Sequence, residues 1–481
     1  MTIATARALS GEAETRHWRP SFHFTPRENW INDPNGLVYF EGEYHLFYQY
    51  NPHGKDWGHM SWGHAVSSDL LVWTELPVAM PERDYMIFSG CALVDRDNCI
   101  GVETGGEPAL VAIYTAHRSD PESQVQNLAY STDRGRTWID HPANPVIDRG
   151  LAHFRDPKVF WHAATGAWVM VVALPREHKV AIYRSANLLD WQLASEFGPA
   201  GKTGGQWECP DLLSLRVEGE DRSVWMLKVD VDKDFIGSVN GAQIFFGTFD
   251  GFAFAAFDEA GQPGDFGADF YAAQSWSDLP EAGGDPIWLA WMSTHQSGPR
   301  YPTHPWRGAM TLPRSLSARQ EAGRWHLQQR PVMQWDDAMR SAVGRDMVLA
   351  SGQGEALCAS LAALGGEIRL TGDSATRAEF LVGDPGRPAL RIVLDGARKV
   401  ISIERRATTW DAPIVFEEPM HASWQGERAE IRLLFDRQSV EIFVPDEGLA
   451  MTACFFAPGD AALAVISHGD ALEISAVGFR R

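Results

Sequence analysis

The chain has 481 residues, of which 44% are hydrophobic, and this length is sufficient for two packed domains rather than one. The 42 Lys and Arg residues against 63 Asp and Glu residues give a formal net charge of −21, which is distributed along the sequence. That charge disfavours nucleic acid and anionic membranes as partners. A neutral small-molecule or oligomeric substrate fits better, and the composition does not fix the oligomeric state.

Cysteine usage and the first residues address the compartment. The five cysteines are odd in number and lack C-x-x-C spacing, so neither a disulfide framework nor a zinc site is predicted. Residues 1–17 lack the basic start and apolar run of a secretory signal, and no later stretch is long and apolar enough to span a bilayer. We therefore expect an N-terminal tail over residues 1–19 and a cytoplasmic protein, with a periplasmic or secreted location as the alternatives.

A repeated pattern occupies residues 20 to about 320. A short motif, an apolar strand, a turn, a second apolar strand and an S-x-D-x-x-x-W type turn follow one another five times. Equivalent positions are 52 to 67 residues apart, which suits about four short strands per unit. These positions are Asp33, Ser89, Asp156, Glu208 and Tyr271. The period predicts a five-bladed β-propeller, with an all-β sandwich with turn-rich loops as the alternative.

The period ends after the run Pro305–Arg314, where we expect a polar linker that leads to about Val332. Short alternating strands such as Glu367–Leu370 and Val440–Val444 then recur to the end of the chain. They predict a β-sandwich with a structural role. The predicted fold class is thus all-β, with a propeller in residues 20–331 and a sandwich in residues 332–481.

Three acids stand at the starts of predicted blades, each with a proline one or two residues later: Asp33, Asp156 and Glu208. They are too far apart in the chain to share a helix or a hairpin. In a propeller the innermost strands line one channel, so equivalent positions converge at its mouth. The stretch from Asp33 to Gly36 also fits an ordinary β-turn, but the acid-plus-proline placement recurs where no Asn-Gly turn follows.

Clustered carboxyl groups of this kind can cleave a glycosidic bond. One carboxylate attacks or stabilises the oxocarbenium-like centre, a second carboxyl group protonates the leaving oxygen, and a third can hold sugar hydroxyls. Asp33 lies in an amide-rich turn and Asp156 follows Arg155, so we expect both to be ionised. Glu208 follows Trp207 and would meet two like charges, so we expect a raised pKa, which nominates it as the general acid.

Over nearly its whole length the sequence resembles glycoside hydrolase family 32, the invertases, exo-inulinases and levanases. The resemblance is carried by Trp30–Gly36, Phe47–Pro52, Trp57–His64, Phe88–Gly90, Arg155–Pro157, Trp207–Asp211 and Pro305–Arg314. It implies a five-bladed propeller followed by a sandwich. It also implies retaining hydrolysis of β-fructofuranosides through a covalent fructosyl intermediate.

The resemblance also implies roles for individual residues. Asp33 is expected to be the nucleophile, Glu208 the acid and then the base, and Asp156 the residue that binds fructose hydroxyls and stabilises the transition state. The residues expected around the terminal fructose are Asn32, Gln49, Trp57, Ser89, Arg155 and Trp291, with Tyr271 as a neighbour from the fifth blade. Simpler interpretations remain for these residues: a turn cap, core aromatics, a solvated strand position or a surface ion pair.

Two cysteines and three histidines invite other interpretations. Cys91 stands where small residues are usual in the family, and Cys209 follows the proposed acid; we expect both to be structural. His53, His59 and His64 lie in or beside a family motif and lack a metal-binding spacing. Neither a metal nor a cofactor is therefore predicted.

Segments 124–130, 195–200, 269–276 and 302–314 look most similar to exo-acting inulinases and levanases. Release of terminal fructose from fructo-oligosaccharides, inulin or levan and sucrose is therefore the first choice. The alternatives are a sucrose-preferring invertase, a fructosyltransferase and, from another class, a non-catalytic fructan-binding lectin. The intact acids disfavour the lectin, and the sequence does not fix the preferred linkage or the chain length of the substrate.

Overall fold

The computed structural model describes residues 15–280 and 284–477. Most of the predicted tail, residues 1–14, therefore lies outside the described residues, as do residues 478–481. In the described part, five sheets form a ring and two further sheets pack against each other. The predicted all-β class, a five-bladed propeller followed by a sandwich, is confirmed.

The five sheets of the ring are the blades, and their strands follow in chain order. Blade I contains β1 (Asn29–Phe40), β2 (Glu43–Asn51), β3 (Ser61–Ser67) and β4 (Thr74–Met80). Blade II contains β5 (Met86–Asp95), β6 (Ala109–Ser119), β7 (Glu122–Ser131) and β8 (Ile139–Asp140). Blade III contains β9 (Arg155–His162), β10 (Ala167–Leu174), β11 (Lys179–Ser185) and β12 (Gln192–Phe197).

The last two blades are less regular. Blade IV contains β13 (Trp207–Arg216), β14 (Ser223–Ile236), β15 (Val239–Phe249), β16 (Phe254–Ala256) and the short β17 (Gln262–Pro263). Blade V contains β18 (Tyr271–Ser275) and β19 (Ile287–Trp291), and after the short β20 (Trp306–Arg307) it is completed by β21 (Arg314–Glu321) and β22 (Arg324–Pro331).

The ring closes between blades V and I. The innermost strands β1, β5, β9, β13 and β18 contact one another in that order, and β18 returns to contact β1. Ser277, just after β18, donates its N–H to the carbonyl of Leu37 and accepts from the N–H of Tyr39 on β1. Strand β20 also pairs in parallel with the start of β1. The predicted equivalent positions therefore share one channel.

The expected polar linker before Val332 is wrong. Residues 314–331 form β21 and β22, the two outer strands of blade V. Their polar composition is that of strands with one solvated face, while Leu316 and Ala318 are buried with Trp288 in the core between blades IV and V. The polar face hid the alternation that marks these strands.

The S-x-D-x-x-x-W segments form the same tight turn after the third strand of blades I, II and III. In blade I the Asp69 carboxylate accepts a hydrogen bond from the Ser67 hydroxyl at 3.0 Å and from the N–H of Leu71 at 2.9 Å. Leu70 has a φ of 65°, a conformation that Asp-centred turns accommodate. The repeated turn sets the direction of the fourth strand and so explains the sequence repeat.

The sandwich follows a helix, α1 (Met333–Arg340), that the sequence analysis did not predict. One sheet contains β23 (Gly344–Leu349), β25 (Gly366–Asp373), β30 (Arg428–Asp436), β31 (Ser439–Val444), β32 (Leu449–Cys454) and β34 (Leu472–Val477). The other contains β24 (Gly354–Cys358), β26 (Arg377–Val382), β27 (Leu390–Asp395), β28 (Val400–Arg405), β29 (Met420–Ser423) and β33 (Leu463–Ser467). Short 3₁₀ turns lie at Ala163–Thr165, Pro175–Glu177, Gly298–Arg300, Leu361–Ala363, Ile414–Glu417 and Pro445–Glu447.

A buried ionic network joins the sandwich to the start of the propeller. His23 lies between Asp436 and Glu441, with nitrogen–oxygen distances of 3.0 and 2.8 Å. The Arg314 guanidinium bonds both Glu441, at 2.5 Å, and Asp265, at 2.8 Å. Burial by itself would lower the pKa of His23, but its two acidic partners outweigh burial and raise it to about 9. His23 is therefore a cation at neutral pH.

This network predicts a pH-dependent stability. The His23 contribution is fully present below its unfolded pKa near 6.5 and is lost as pH rises through about 9, which amounts to on the order of 3 kcal/mol. The free energies of unfolding of the wild type and of His23→Gln, measured in urea, should therefore converge over this window. The same measurement on His468→Gln, an exposed histidine, should show no such convergence. If the difference in free energy of unfolding between the wild type and His23→Gln stays constant with pH, the assignment of His23 as a buried cation is contradicted.

Candidate active site

Each innermost strand of the propeller is interrupted at the equivalent position by a shift in its pairing with the second strand. The shifts lie between Ile31 and Pro34, Ile87 and Gly90, Glu208 and Asp211, and Tyr271 and Gln274, and β9 has its shift opposite Val171 and Ala173. Bulges of this kind bend a strand and re-aim its side chains, and they are common beside active sites. The predicted site residues thus lie at or beside bulges around one channel.

Three residues at these bulges have backbone conformations that side chains rarely adopt. The φ angles are 65° at Asp156, 47° at Cys209 and 54° at Ala272, and such conformations cost of order 1–3 kcal/mol. In return, the N–H of Cys209 donates to Asp156 Oδ2 at 2.9 Å. Lys228 Nζ donates to the Cys209 carbonyl at 2.8 Å. The strained peptide therefore directs a backbone donor at a carboxyl group and is held there by a buried cation.

Asp33, on β1, has several hydrogen-bond donors around its carboxylate. Ser89 Oγ donates to Oδ2 at 2.6 Å, and Asn32 Nδ2 donates to Oδ1 at 3.1 Å. The Cys209 thiol approaches the same Oδ2 at 3.5 Å. Trp30 Nε1 donates to Asn32 Oδ1 at 2.7 Å, which fixes the amide with its N–H towards Asp33. These donors hold the carboxylate in one orientation.

Asp156, on β9, is buried among charged groups. Burial, together with the charges of Glu208 and Asp33, raises the pKa of Asp156 to about 7, although the charge of Arg155 opposes the shift. The expectation that Arg155 keeps Asp156 ionised is therefore wrong near and below neutral pH. A carboxyl group in this position can hold a proton where an exposed aspartate cannot.

Glu208, on β13, is hydrogen-bonded by the Arg155 guanidinium. Its Oε1 accepts from Arg155 Nε at 3.0 Å and from Nη2 at 2.6 Å. The Tyr271 hydroxyl donates to Oε2, and His295 Nε2 lies 3.9 Å from the same oxygen. Burial would raise the pKa of Glu208, but the charge of Arg155, followed by His295 and the Tyr271 hydrogen bond, reverses the direction and lowers it.

The sequence-based expectation of a raised Glu208 pKa is therefore wrong. It was inferred from Trp207, its neighbour in the chain, and from the two other acids. The groups that decide the direction come from other blades, Arg155 from blade III and Tyr271 from blade V. Local sequence does not give their distances from Glu208.

Short contacts connect the three carboxyl groups. The Cys209 thiol lies 3.5 Å from Asp33 Oδ2 and 3.6 Å from Asp156 Oδ2. Arg155 Nε lies 3.9 Å from Asp156 Oδ2 and 3.0 Å from Glu208 Oε1. Asp33 and Glu208 therefore both contact groups that adjoin Asp156.

Besides Asn32, two more of the predicted sugar-binding residues come from blade I. Gln49 is buried on β2, and its Nε2 donates to the carbonyl of Ile87 at 3.0 Å, on the strand that carries Ser89. Trp57 follows β2 and is 53% exposed, with its ring centroid 6.0 Å from that of Phe88. Trp57 is thus no core residue and presents an open aromatic face. Contact of either side chain with a sugar stays a prediction.

Trp291, at the end of β19, is fully buried. Its ring packs edge-to-face against Trp30 at 5.7 Å, Tyr271 at 6.4 Å and His295 at 5.4 Å. These partners bond or adjoin Asn32 and Glu208, so Trp291 supports both sides of the site. Its predicted contact with fructose is likewise untested.

The sequence analysis missed residues beside Glu208. Lys228 and Asp230 form a fully buried ion pair on β14, and Asp230 stands opposite Glu208 in the sheet register. Burial raises the pKa of Asp230 to about 7, against the effect of Lys228. A signal was present: charged residues occupy every second position from Lys228 to Asp232 and alternate there with Val229 and Val231. His295 had no comparable signal.

Both cysteines near this site are buried. Burial raises the pKa of Cys209 well above its ordinary value and that of Cys91 to about 11, so both are protonated thiols. Over residues 15–280 and 284–477, no group of three or more His, Cys, Asp or Glu side chains could hold a metal ion.

Clustered carboxyl groups at the mouth of a five-bladed propeller define a glycoside hydrolase. The chain belongs to glycosyl hydrolases family 32: the family's N-terminal domain matches residues 23–331, and its C-terminal domain matches residues 343–477.

Comparisons with three known proteins show which kinds of fructan- and fructoside-cleaving enzymes the chain is similar to. The chain is 40% identical to the levanase of Bacillus subtilis over 93% of its own length and 68% of the levanase. It is 35% identical to an extracellular exo-inulinase of Aspergillus niger over 98% of this chain and 97% of that one. The structure of β-fructofuranosidase from Schwanniomyces occidentalis complexed with fructosyl-erythritol superposes with a TM-score of 0.86 at 30% identity, over 96% and 98% of the two chains.

The predicted cytoplasmic location is wrong, because the similar exo-inulinase of Aspergillus niger is an extracellular enzyme. The prediction depended on the composition of residues 1–17, whereas the likeness to an extracellular enzyme extends over nearly the whole fold. Within the described residues, no helix is both long and apolar enough to cross a membrane.

Proposed function

We propose that the protein is a retaining exo-β-fructosidase that removes terminal non-reducing β-D-fructofuranosyl residues from fructo-oligosaccharides, inulin or levan and sucrose. One observation carries the proposal: three neighbouring carboxyl groups have three different environments. Asp33 accepts hydrogen bonds from neutral donors, Glu208 accepts them from a cation, and Asp156 is buried. We further propose residues 20–331 as the catalytic domain and residues 332–481 as its structural support.

In the first step Asp33 acts as the nucleophile. Its Oδ attacks C2 of the fructosyl unit, the bond from C2 to the glycosidic oxygen breaks, and Glu208 transfers its proton to that oxygen. Ser89 and Asn32 hold the attacking carboxylate in one orientation throughout. The products are a fructosyl ester of Asp33 and the released alcohol.

In the second step Glu208, now ionised, accepts a proton from water as the oxygen attacks C2. The ester bond breaks, Asp33 is regenerated, and fructose leaves with the original anomeric configuration. Arg155 lies within hydrogen-bonding distance of the ionised Glu208 and stabilises that form at this stage.

The proton required by Glu208 has a source in the same cluster. Asp156 has a pKa of about 7 while that of Glu208 is lowered, so Asp156 holds the shared proton more readily. Fructose hydroxyls that donate to Asp156 stabilise its ionised form, and the proton then passes to Glu208. Substrate binding thereby leaves Glu208 protonated, as a general acid must be.

Product analysis tests the proposed reaction against its alternatives. Incubation with sucrose, kestose, inulin and levan should give free fructose from each, with retention of configuration in the first product seen by NMR. Elongated chains or difructose anhydride would instead indicate a fructosyltransferase, and cleavage of sucrose alone a sucrose-preferring invertase. Binding without turnover would indicate a lectin.

The two catalytic roles are separable by substitution. Asp33→Asn and Glu208→Gln should each lower kcat on sucrose by several orders of magnitude, about the loss expected for a nucleophile and a general acid. With p-nitrophenyl β-D-fructofuranoside, azide should restore turnover in Glu208→Gln and give the β-fructosyl azide, because azide attacks the ester of Asp33 without a general base. Asp411→Asn, an exposed carboxylate of the sandwich, is the matched control. A β-fructosyl azide from Asp33→Asn, or an α-fructosyl azide from Glu208→Gln, would reverse the assignment.

The shared proton predicts the alkaline side of the pH profile. As pH rises through about 7, Asp156 loses the proton, so kcat/KM should fall above this pH. In Asp156→Asn the fall should move to lower pH, since the remaining acid, Glu208, has a lowered pKa. Initial rates below KM between about pH 4 and about pH 9 measure both limbs. If kcat/KM of Asp156→Asn falls at the same alkaline pH as kcat/KM of the wild type, this proton path is contradicted.

A further inference from the structure

His295 lies beside Glu208 and is partly exposed. Its Nε2 lies 3.9 Å from Glu208 Oε2, and its side chain is 40% exposed. The ring meets Tyr271 edge-on at 4.7 Å and Trp291 at 5.4 Å. Both of those aromatic side chains are fully or almost fully buried, so His295 is the member of this aromatic group that a bound molecule can touch.

The position of His295 is fixed by the neighbouring blade. Its backbone N–H donates to Asn240 Oδ1 at 2.8 Å, and Nε2 of the following Gln296 donates to the carbonyl of Asp232 at 2.9 Å. Asn240 is on β15 and Asp232 on β14, so blade IV holds the segment that follows β19 of blade V. An anchored ring of this kind is suited to recognition, because little rotamer freedom is lost on binding.

Because Glu208 is the general acid, its position determines which part of the substrate lies against His295. The glycosidic oxygen joins the fructosyl unit to the leaving group, and Glu208 must reach that oxygen. Asp33, Ser89 and Asn32 occupy the fructosyl side, so the leaving group extends past Glu208 in the other direction. On that side Oε1 is covered by Arg155, and Oε2 faces Tyr271 and the exposed edge of His295.

We propose that His295 binds the sugar that leaves, through a hydrogen bond from its imidazole to a hydroxyl of that sugar, and so determines which leaving groups are aligned with Glu208. This inference rests on the proposed function. His295 is a specificity-determining residue in this role. The ring nitrogens of an imidazole can hydrogen-bond a hydroxyl, and its ring face offers apolar surface to a pyranose or furanose.

Two variants separate binding of the leaving sugar from support of the site. His295→Phe keeps the ring against Tyr271 and Trp291 but removes both nitrogens, whereas His295→Gln keeps a polar group. The substrates are sucrose, inulin and p-nitrophenyl β-D-fructofuranoside, whose nitrophenolate needs little protonation and has no sugar hydroxyls. His468→Gln, in the sandwich, is the matched control.

For His295→Phe we expect kcat/KM to fall about 10- to 100-fold on sucrose and on inulin, the loss of one hydrogen bond in a desolvated site. On the p-nitrophenyl substrate kcat/KM should stay within about threefold of the wild type. His295→Gln should regain part of the lost activity on sucrose and change the ratio of sucrose to inulin turnover.

Several outcomes would overturn the inference. An equal loss on all three substrates, or unfolding of both variants in thermal scans, would show that the ring supports the site instead of binding the leaving sugar. Unchanged rates on every substrate would show that no contact exists. These results are distinct from a failure of the proposed function, which would be a wild-type protein that cleaves none of the fructosides.

Discussion

The site depends on one buried cation, the guanidinium of Arg155, placed where three carboxyl groups crowd together. Buried carboxylates at such short range repel one another and lose hydration, so they cannot all be ionised without compensation. Arg155 bonds Glu208 twice and adjoins Asp156, which sends the pKa of one acid down while burial sends that of the other up. The separation of two acids by environment is what acid–base chemistry at a single centre requires.

The fold supplies this crowding through a repeated device. A bulge at the same point of every innermost strand turns one side chain towards the channel, and ring closure brings the five bulges together. The strained backbone of Asp156 and Cys209 persists because Lys228 and the opposing carboxyl group hold it in place. Stability and function are thus coupled: the residues that fix the bulges also set the charges that the proposed chemistry uses.

The sandwich contributes by a different route. It meets the propeller through His23, Arg314 and the carboxylates between which they lie, all buried. An ionic interface of this kind adds specificity of docking, because breaking one partner leaves an uncompensated buried charge. Arg314 also begins β21 of blade V, so the interface reaches the blade that carries Tyr271 and His295.

The sequence by itself determined the number of blades, the three acids and most of their close neighbours, because a repeat with a motif at each blade start encodes position directly. It did not determine that residues 314–331 finish blade V, since strands with one solvated face resemble a polar linker. The tertiary structure alone decided the pKa direction of Glu208, the buried pair of Lys228 and Asp230, and the place of His295. These depend on distances between blades, which follow from ring closure and packing and leave no mark on any short stretch of chain.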